Sequence, residues 1–223
     1  MNFETKQELV RYLSQFITPG KWQKMQEVVL NRTRYVTVVL EDIYQAHNIS
    51  ASIRSCEAFG LQDIHIVEER NRYNVNIGIT KGASDWVDIK RYNQIGVQNT
   101  QNCFKKLKEQ GYSIVATTPH EQSCELSRVS IDQKVALVFG TELTGLSEYA
   151  LRYADAYVKI PMYGFTESFN ISVSVSLCVY DVISRVRSQN IWQLSQEEQV
   201  DILLSWLRRT IRGSSQLENL FLS

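Results

Sequence analysis

Residues 134–139 read KVALVF, one lysine followed by five apolar residues in a row. YVTVVL at 35–40 is nearly as apolar. Short β-branched runs without apolar–polar alternation are strands with both faces buried, and that burial requires helices above and below a parallel sheet. The intervening segments supply them. Alternation of such runs with helix-period stretches predicts an α/β fold, a parallel sheet with helices on both faces. Further strands are expected at DIHIVEE (63–69), WVDIKRY (86–92), YSIVATT (112–118) and AYVKIPM (156–162), and helices over 48–59, 99–110 and 171–187. Residues 70–85 are polar and glycine-containing and read as a long loop.

The two ends differ from this core. Thr5-x-x-Glu8 has the form of a capping box, and Leu9, Tyr12, Leu13, Phe16 and Ile17 recur at helical spacing, predicting a helix over 6–17. Thr18-Pro19-Gly20 interrupts it, and a second helix follows over 21–31. Ser195-x-x-Glu198 is a second capping box ahead of a stripe of Leu203, Trp206, Leu207 and Ile211. That stripe must be covered, by the rest of the subunit or by a second copy. The chain divides into a helical N-terminal extension (1–34), an α/β domain (35–187) and a helical C-terminal extension (188–223).

Of the 223 residues, 43% are hydrophobic and 22% charged, enough for a full core, and no apolar run approaches bilayer length. The N-terminus has no apolar leader, so a cytoplasmic, membrane-free protein is expected. Cys56, Cys103, Cys124 and Cys178 are scattered and read as small buried or half-buried thiols; His47, His65 and His120 form no metal-ligand cluster. Net charge is zero, but its distribution is uneven. Lys6, Arg11, Lys21, Lys24, Arg32 and Arg34 outnumber Glu4, Glu8 and Glu27 at the N-terminus, and Arg185, Arg187, Arg208, Arg209 and Arg212 recur near the other end. Basic charge at both ends favours an anionic partner such as nucleic acid.

Ligands of parallel α/β sheets bind at the carboxyl ends of strands. Three unusual segments sit there: HNISASIR (47–54), FGTELTGLS (139–147) and IPMYGFTESFN (160–170). No GxGxxG or GxxxxGK[ST] accompanies them, which excludes the usual dinucleotide and P-loop sites. Gly140 and Gly145 allow close backbone approach to a ligand, and Glu142 adds a carboxylate. Taken singly, Asn48, Ser168 and Asn170 read as helix caps, and Arg54 as an exposed residue paired with Glu57 or Glu41.

Taken together the three segments are more specific. Asn48 followed six residues on by Arg54 and closed by Phe59-Gly60, then LVFGTELTGLS, then IPMYGFTESFNISVSVS, in this order over 35–187, resembles the SpoU, or TrmH, class of SPOUT RNA ribose 2′-O-methyltransferases. The resemblance implies a SPOUT fold with a C-terminal trefoil knot, a homodimer whose helices 169–187 meet across the axis with Leu203, Trp206 and Leu207 as secondary contacts, and S-adenosyl-L-methionine as methyl donor, with no metal. It implies cofactor contacts from Thr117, Gly140, Ile160 and Phe169. It also implies that Arg54 binds the phosphate beside the target ribose and orients the 2′-hydroxyl, with Asn48, Glu142, Ser168 and Asn170 lining the same pocket. The terminal extensions resemble those with which tRNA-specific members hold tRNA, here through Arg11, Lys21, Lys24, Arg32, Arg34, Arg185 and Arg187. The stretch from Arg32 to Gly60 is similar to members that methylate the D-loop guanosine at tRNA position 18. Basic residues that such members carry after the Gly-rich loop are missing, and Asp85 stands there. Members acting on rRNA, which more often bring a longer N-terminal domain, and a non-catalytic RNA-binding member are the alternatives.

Overall fold

The structure, a computed structural model, describes residues 1–71, 82–119 and 123–223. His120 and most of the expected loop at 70–85 lie outside the described residues. The chain forms two compact units, residues 34–192 and the paired termini 1–33 and 193–223.

The larger unit is a seven-stranded sheet in which every neighbouring pair is parallel. Its strands are β1 (Val36–Glu41), β2 (Asp63–Val67), β3 (Asp88–Tyr92), β4 (Tyr112–Thr117), β5 (Cys124–Glu125), β6 (Lys134–Phe139) and β7 (Ala156–Lys159), in the order β3-β2-β1-β6-β4-β7-β5. The apolar runs explain the centre. All six residues of β1 are buried, and Val36, Val38 and Leu40 point into one core while Val39 points into the other. The first core is closed by α3 (Ala46–Ala58) and α6 (Ile171–Ser188), the second by α4 (Asn99–Glu109) and α5 (Glu148–Tyr153). Each buried aliphatic side chain is worth about 1.5–3 kcal/mol, so a two-sided sheet gains more from each strand than a one-sided one. The two-residue β5 was invisible to sequence pattern because so short a run carries no periodicity.

Helix α3 carries the first motif. Ile49, Ile53 and Cys56 recur at helical spacing and are fully buried, which turns position 54 outward. The helix ends at Gly60, whose φ of 86° is the left-handed conformation glycine takes most easily, and Leu61 N–H returns to Cys56 O at 3.0 Å. Ser176 Oγ donates to Ser55 Oγ at 2.8 Å, a small-residue contact that lets α6 lie close to α3.

The terminal unit comprises α1 (Phe3–Ser14), α2 (Pro19–Val29), α7 (Gln196–Thr210) and α8 (Ser214–Leu222). Helix α1 starts earlier than Thr5: Asn2 is its cap, accepting from Thr5 N–H at 2.8 Å, so the apparent capping box at Thr5 is unused. Helix α2 likewise starts at Pro19, capped by Thr18; proline is tolerated at the first helical position because its missing N–H would have no partner there. The Ser195–Glu198 capping box is present in both directions. The stripe on α7 packs inside the subunit: Trp206 and Leu207 are buried, and Arg32 lies with its guanidinium 5.4 Å from the Trp206 ring centre. Trp206 and Leu207 are therefore core residues, which removes them as dimer contacts. Among the described residues no helix is long and apolar enough to cross a membrane.

Candidate active site

Strand order reverses at β1. The chain runs outward through β2 and β3 on one side, then returns to place β6, β4 and β7 on the other. The loops leaving β1, β6 and β7 carry the three motifs, at the crevice where open α/β sheets bind ligands.

The loop after β6 is a tight turn. Thr141 and Gly145 exchange two backbone hydrogen bonds of 3.0 Å, and Gly145 has a φ of +67°. A Cβ on Gly140 would collide with the backbone of Gly145 and Leu146, so only glycine lets the turn fold back on its strand. The loop is also anchored from beneath. Glu41, the last residue of β1, is buried, and its carboxylate accepts from Ser147 N–H at 2.9 Å, Ser147 Oγ at 2.7 Å and Thr100 Oγ1 at 2.6 Å. Glu41 is thus committed to the glycine loop and is not a partner of Arg54. Ser147 in turn caps α5.

The second feature joins all three motifs. Asn170 caps α6, its Oδ1 accepting from Ser172 N–H at 2.9 Å. A backbone N–H can only donate, so the Asn170 amide must turn its Nδ2 the other way. Nδ2 donates to Asn48 Oδ1 at 3.1 Å. Asn48 Oδ1 is thereby an acceptor, and its Nδ2 donates to Gln45 Oε1 at 3.1 Å and to the Glu142 carboxylate. One backbone amide thus sets the direction of the whole chain from the α6 N-terminus to the glycine loop. The capping reading of Asn170 holds. Asn48 is not a cap: Gln45 occupies that position, and Asn48 is buried in the first turn.

Arg54 is not part of this cluster. Six residues beyond Asn48, it lies about 9 Å along the helix and roughly 120° around it. It is exposed and makes no hydrogen bond or ion pair among the described residues. Ser168 is exposed and likewise outside the hydrogen-bonded cluster. Thr117 donates to Val138 O at 2.8 Å at the end of β4, Ile160 packs on the first core, and Phe169 is partly open to solvent beside Asn170.

The basic residues divide. Arg11, Lys21 and Lys24 are exposed. Arg32 is buried against Trp206. Arg34 bonds Asp63 and Asp88, each at 3.2 Å. Arg185 clamps Asp181, Val129 O and Leu126 O, and Arg187 stacks over Trp192 at 4.3 Å with its pKa lowered by desolvation. These four hold the protein together, and spacing alone could not separate them from exposed cations.

Glu41, Gln45, Thr100 and Ser147 escaped the sequence reading as site residues. Glu41 did leave a signal, a carboxylate closing a strand that is otherwise buried. No group of His, Cys, Asp or Glu among the described residues could hold a metal ion. Burial pushes the Cys56, Cys103 and Cys178 thiols up to about 12, so they are inert at neutral pH.

The geometry defines a doubly wound α/β protein with a polar cluster and a glycine loop at its switch point. Its fold matches the crystal structure of the Aquifex aeolicus TrmH/SpoU tRNA modifying enzyme, with TM-score 0.77 and 29% identity over 86% of this chain and 98% of that one. The same fold is shared at 21% identity and TM-score 0.61 by the SpoU methyltransferase AviRb from Streptomyces viridochromogenes in complex with the cofactor AdoMet, over 70% and 62% of the two chains. Residues 35–180 match the SpoU rRNA Methylase family, and the chain belongs to it. Along 209 residues, 93% of this chain and 94% of the relative, it is 43% identical to the tRNA (guanosine(18)-2′-O)-methyltransferase of Borreliella burgdorferi.

Proposed function

We propose that the protein transfers a methyl group from S-adenosyl-L-methionine to the ribose 2′-hydroxyl of the D-loop guanosine at position 18 of tRNA. The observation that carries this is 43% identity to the Borreliella burgdorferi enzyme over 93% of the chain, a match that reaches into both terminal extensions as well as the α/β unit. The family's name speaks of rRNA, but relatedness that includes the extensions favours tRNA.

The residues present suit the cofactor. Lacking a side chain, Gly140 keeps the loop closed and leaves backbone as the lining of the β6 end, where an adenosyl group needs amide partners and room. Thr117, Gly140, Ile160 and Phe169 would border it. The bound cofactor supplies a methyl group already activated by the positive sulfur, so no metal is needed. As the new carbon–oxygen bond forms and the sulfur–carbon bond breaks, the hydroxyl proton must leave. Arg54, a cation on the outer face of α3 with no partner among the described residues, stays protonated, binds the phosphate beside the ribose and orients the hydroxyl, whose proton passes by way of that phosphate to water. Asn48, Glu142 and Asn170 hold the loops in register, and Ser168 lines the RNA side.

The active unit is a homodimer. Val173, Leu177 and Tyr180 stand four and three residues apart on one face of α6 and are 43%, 39% and 61% exposed, an apolar stripe that a second α6 would cover. The extensions 1–34 and 188–223 hold tRNA, with Arg11, Lys21 and Lys24 meeting phosphates, while 35–187 carries catalysis. The enzyme works in the cytoplasm, where tRNA matures.

The test is methyl transfer from labelled S-adenosyl-L-methionine to unmodified tRNA and rRNA transcripts, with the modified nucleotide mapped. A single 2′-O-methylguanosine in the tRNA D-loop is expected. Transfer to rRNA alone, or to neither, overturns the reading.

A further inference from the structure

The short segment joining β1 to α3 is held in an unusual conformation. Asp42 has a φ of 53°, the left-handed region that residues with a Cβ rarely adopt. Its surroundings enforce it. The Asp42 carboxylate oxygen Oδ1 accepts from three successive backbone amides, Glu69 at 3.2 Å, Arg70 at 2.7 Å and Asn71 at 2.7 Å. Asn71 Nδ2 returns to Asp42 O at 2.8 Å, and Asp42 N–H donates to Val67 O at 2.8 Å. At the other end, Gln45 occupies the N-cap position of α3, its backbone O accepting from Asn48 N–H at 2.9 Å and its Oε1 from Asn48 Nδ2 at 3.1 Å. Between the two anchors Ile43 is buried and Tyr44 is 76% exposed.

A large ring left in water on a segment fixed at both ends is poor use of a tyrosine for folding. Tyr44 makes no hydrogen bond or ring contact among the described residues. It lies one residue from Gln45, whose side chain touches Asn48, so it stands at the lip of the polar cluster. Tyr163 and Phe165 are also exposed, but they belong to the cofactor-side loop and have no comparable anchors.

We propose that Tyr44 is a stacking platform for a nucleobase of the RNA substrate, at or next to the methylated nucleotide. An enzyme that reaches a 2′-hydroxyl must hold the sugar edge toward its site. The attached base, drawn out of its own stack, is stabilised by an aromatic face. A backbone fixed beforehand loses little freedom when the base arrives, so the left-handed turn at Asp42 serves binding. The inference rests on the proposed RNA-methylating function.

The test uses the full-length enzyme and an unmodified tRNA transcript with Tyr44→Ala, Tyr44→Leu and Tyr44→Phe. Stacking needs the ring and not the hydroxyl. Tyr44→Ala and Tyr44→Leu should therefore raise KM for the transcript about 10-fold or more, and Tyr44→Phe should stay within about twofold. Affinity for S-adenosyl-L-methionine should be unchanged in all three. Transcripts made abasic at single D-loop positions then identify the base: at one position the Tyr44→Ala penalty should vanish. Equal behaviour of Tyr44→Leu and Tyr44→Phe, or a penalty that persists at every abasic position, overturns the inference alone. A wild-type enzyme that methylates no transcript overturns the proposed function and this inference with it.

Discussion

At the scale of single residues, Arg54 and His65 show opposite fates of a basic side chain, one exposed and charged, the other buried and neutral. Arg54 is held by nothing among the described residues, so its loss should leave the fold intact. We expect Arg54→Ala to lower single-turnover methyl transfer to tRNA by at least about 10²-fold, the usual scale for a lost proton-transfer or orienting group, with cofactor affinity unchanged. Arg54→Lys should rescue poorly, because a point charge does not reproduce a bidentate fork on phosphate. Turnover near wild type in Arg54→Ala would remove Arg54 from the mechanism. His65 is buried in the other core. Its Nδ1 lies 3.0 Å from Tyr92 Oη and its Nε2 has no hydrogen-bond partner among the described residues. Desolvation first, then the charges of Lys90 and Lys106, push its pKa down to about 3 from the usual 6.5. The unfolded chain therefore binds a proton that the folded one refuses between those values. Stability contributed by neutral His65 is complete above pH 6.5 and is lost as pH falls toward 3, at up to about 1.4 kcal/mol per pH unit. Urea unfolding at pH 7 and pH 5 should show that loss, and His65→Gln should reduce it. An identical loss in the variant would assign the acid sensitivity elsewhere.

At the scale of elements, α6 does two jobs on two faces. Val175, Cys178, Val179, Val182 and Val186 bury one face in the subunit, and Val173, Leu177 and Tyr180 leave the other apolar and open. Leu177→Asp places a charge on the open face without touching the core. Light scattering should report a dimer for the wild type and a folded monomer for the variant, since burying an unpaired carboxylate in an apolar interface is strongly unfavourable. An unchanged mass would mean that α6 is not the dimer contact. Helix starts are a second lesson at this scale. Asn2 and Thr18 cap α1 and α2, yet Thr5-x-x-Glu8 offered an equally good local signal. Caps compete within a few residues, and at α1 the Asn2 Oδ1 accepts from both Thr5 N–H and Thr5 Oγ1, which engages the rival cap.

At the scale of the whole molecule, net charge is zero, so affinity for RNA must come from local clusters. Among the seven cations that sequence position marks for RNA, exposure leaves Arg11, Lys21 and Lys24 on the N-terminal extension. Each phosphate contact adds close to one unit to the slope of log affinity against log salt. The double variant Lys21→Ala, Lys24→Ala should weaken tRNA binding and reduce that slope by about two, leaving cofactor binding unchanged. A slope equal to wild type would place the tRNA elsewhere.

Six of the seven strands, their parallel pairing and the motif-bearing loops were legible in sequence, because burial on both faces demands continuous apolar runs such as KVALVF and because strand ends are where such folds bind ligands. Family membership was legible for the same reason that the motifs are local: Asn48, Glu142 and Asn170 each sit in a short recognisable stretch. Their mutual geometry was not. Residues 48 and 170 are 122 positions apart, and only the folded chain makes one asparagine orient the other. Nor could sequence show that Arg32 and Arg185 are consumed by internal contacts, that Glu41 anchors the glycine loop, or that Asp42 is held left-handed by three amides. Local pattern reports what a residue does to its neighbours in the chain. Which polar groups are satisfied, and which are left for a ligand, depends on partners that only tertiary packing brings within about 3 Å.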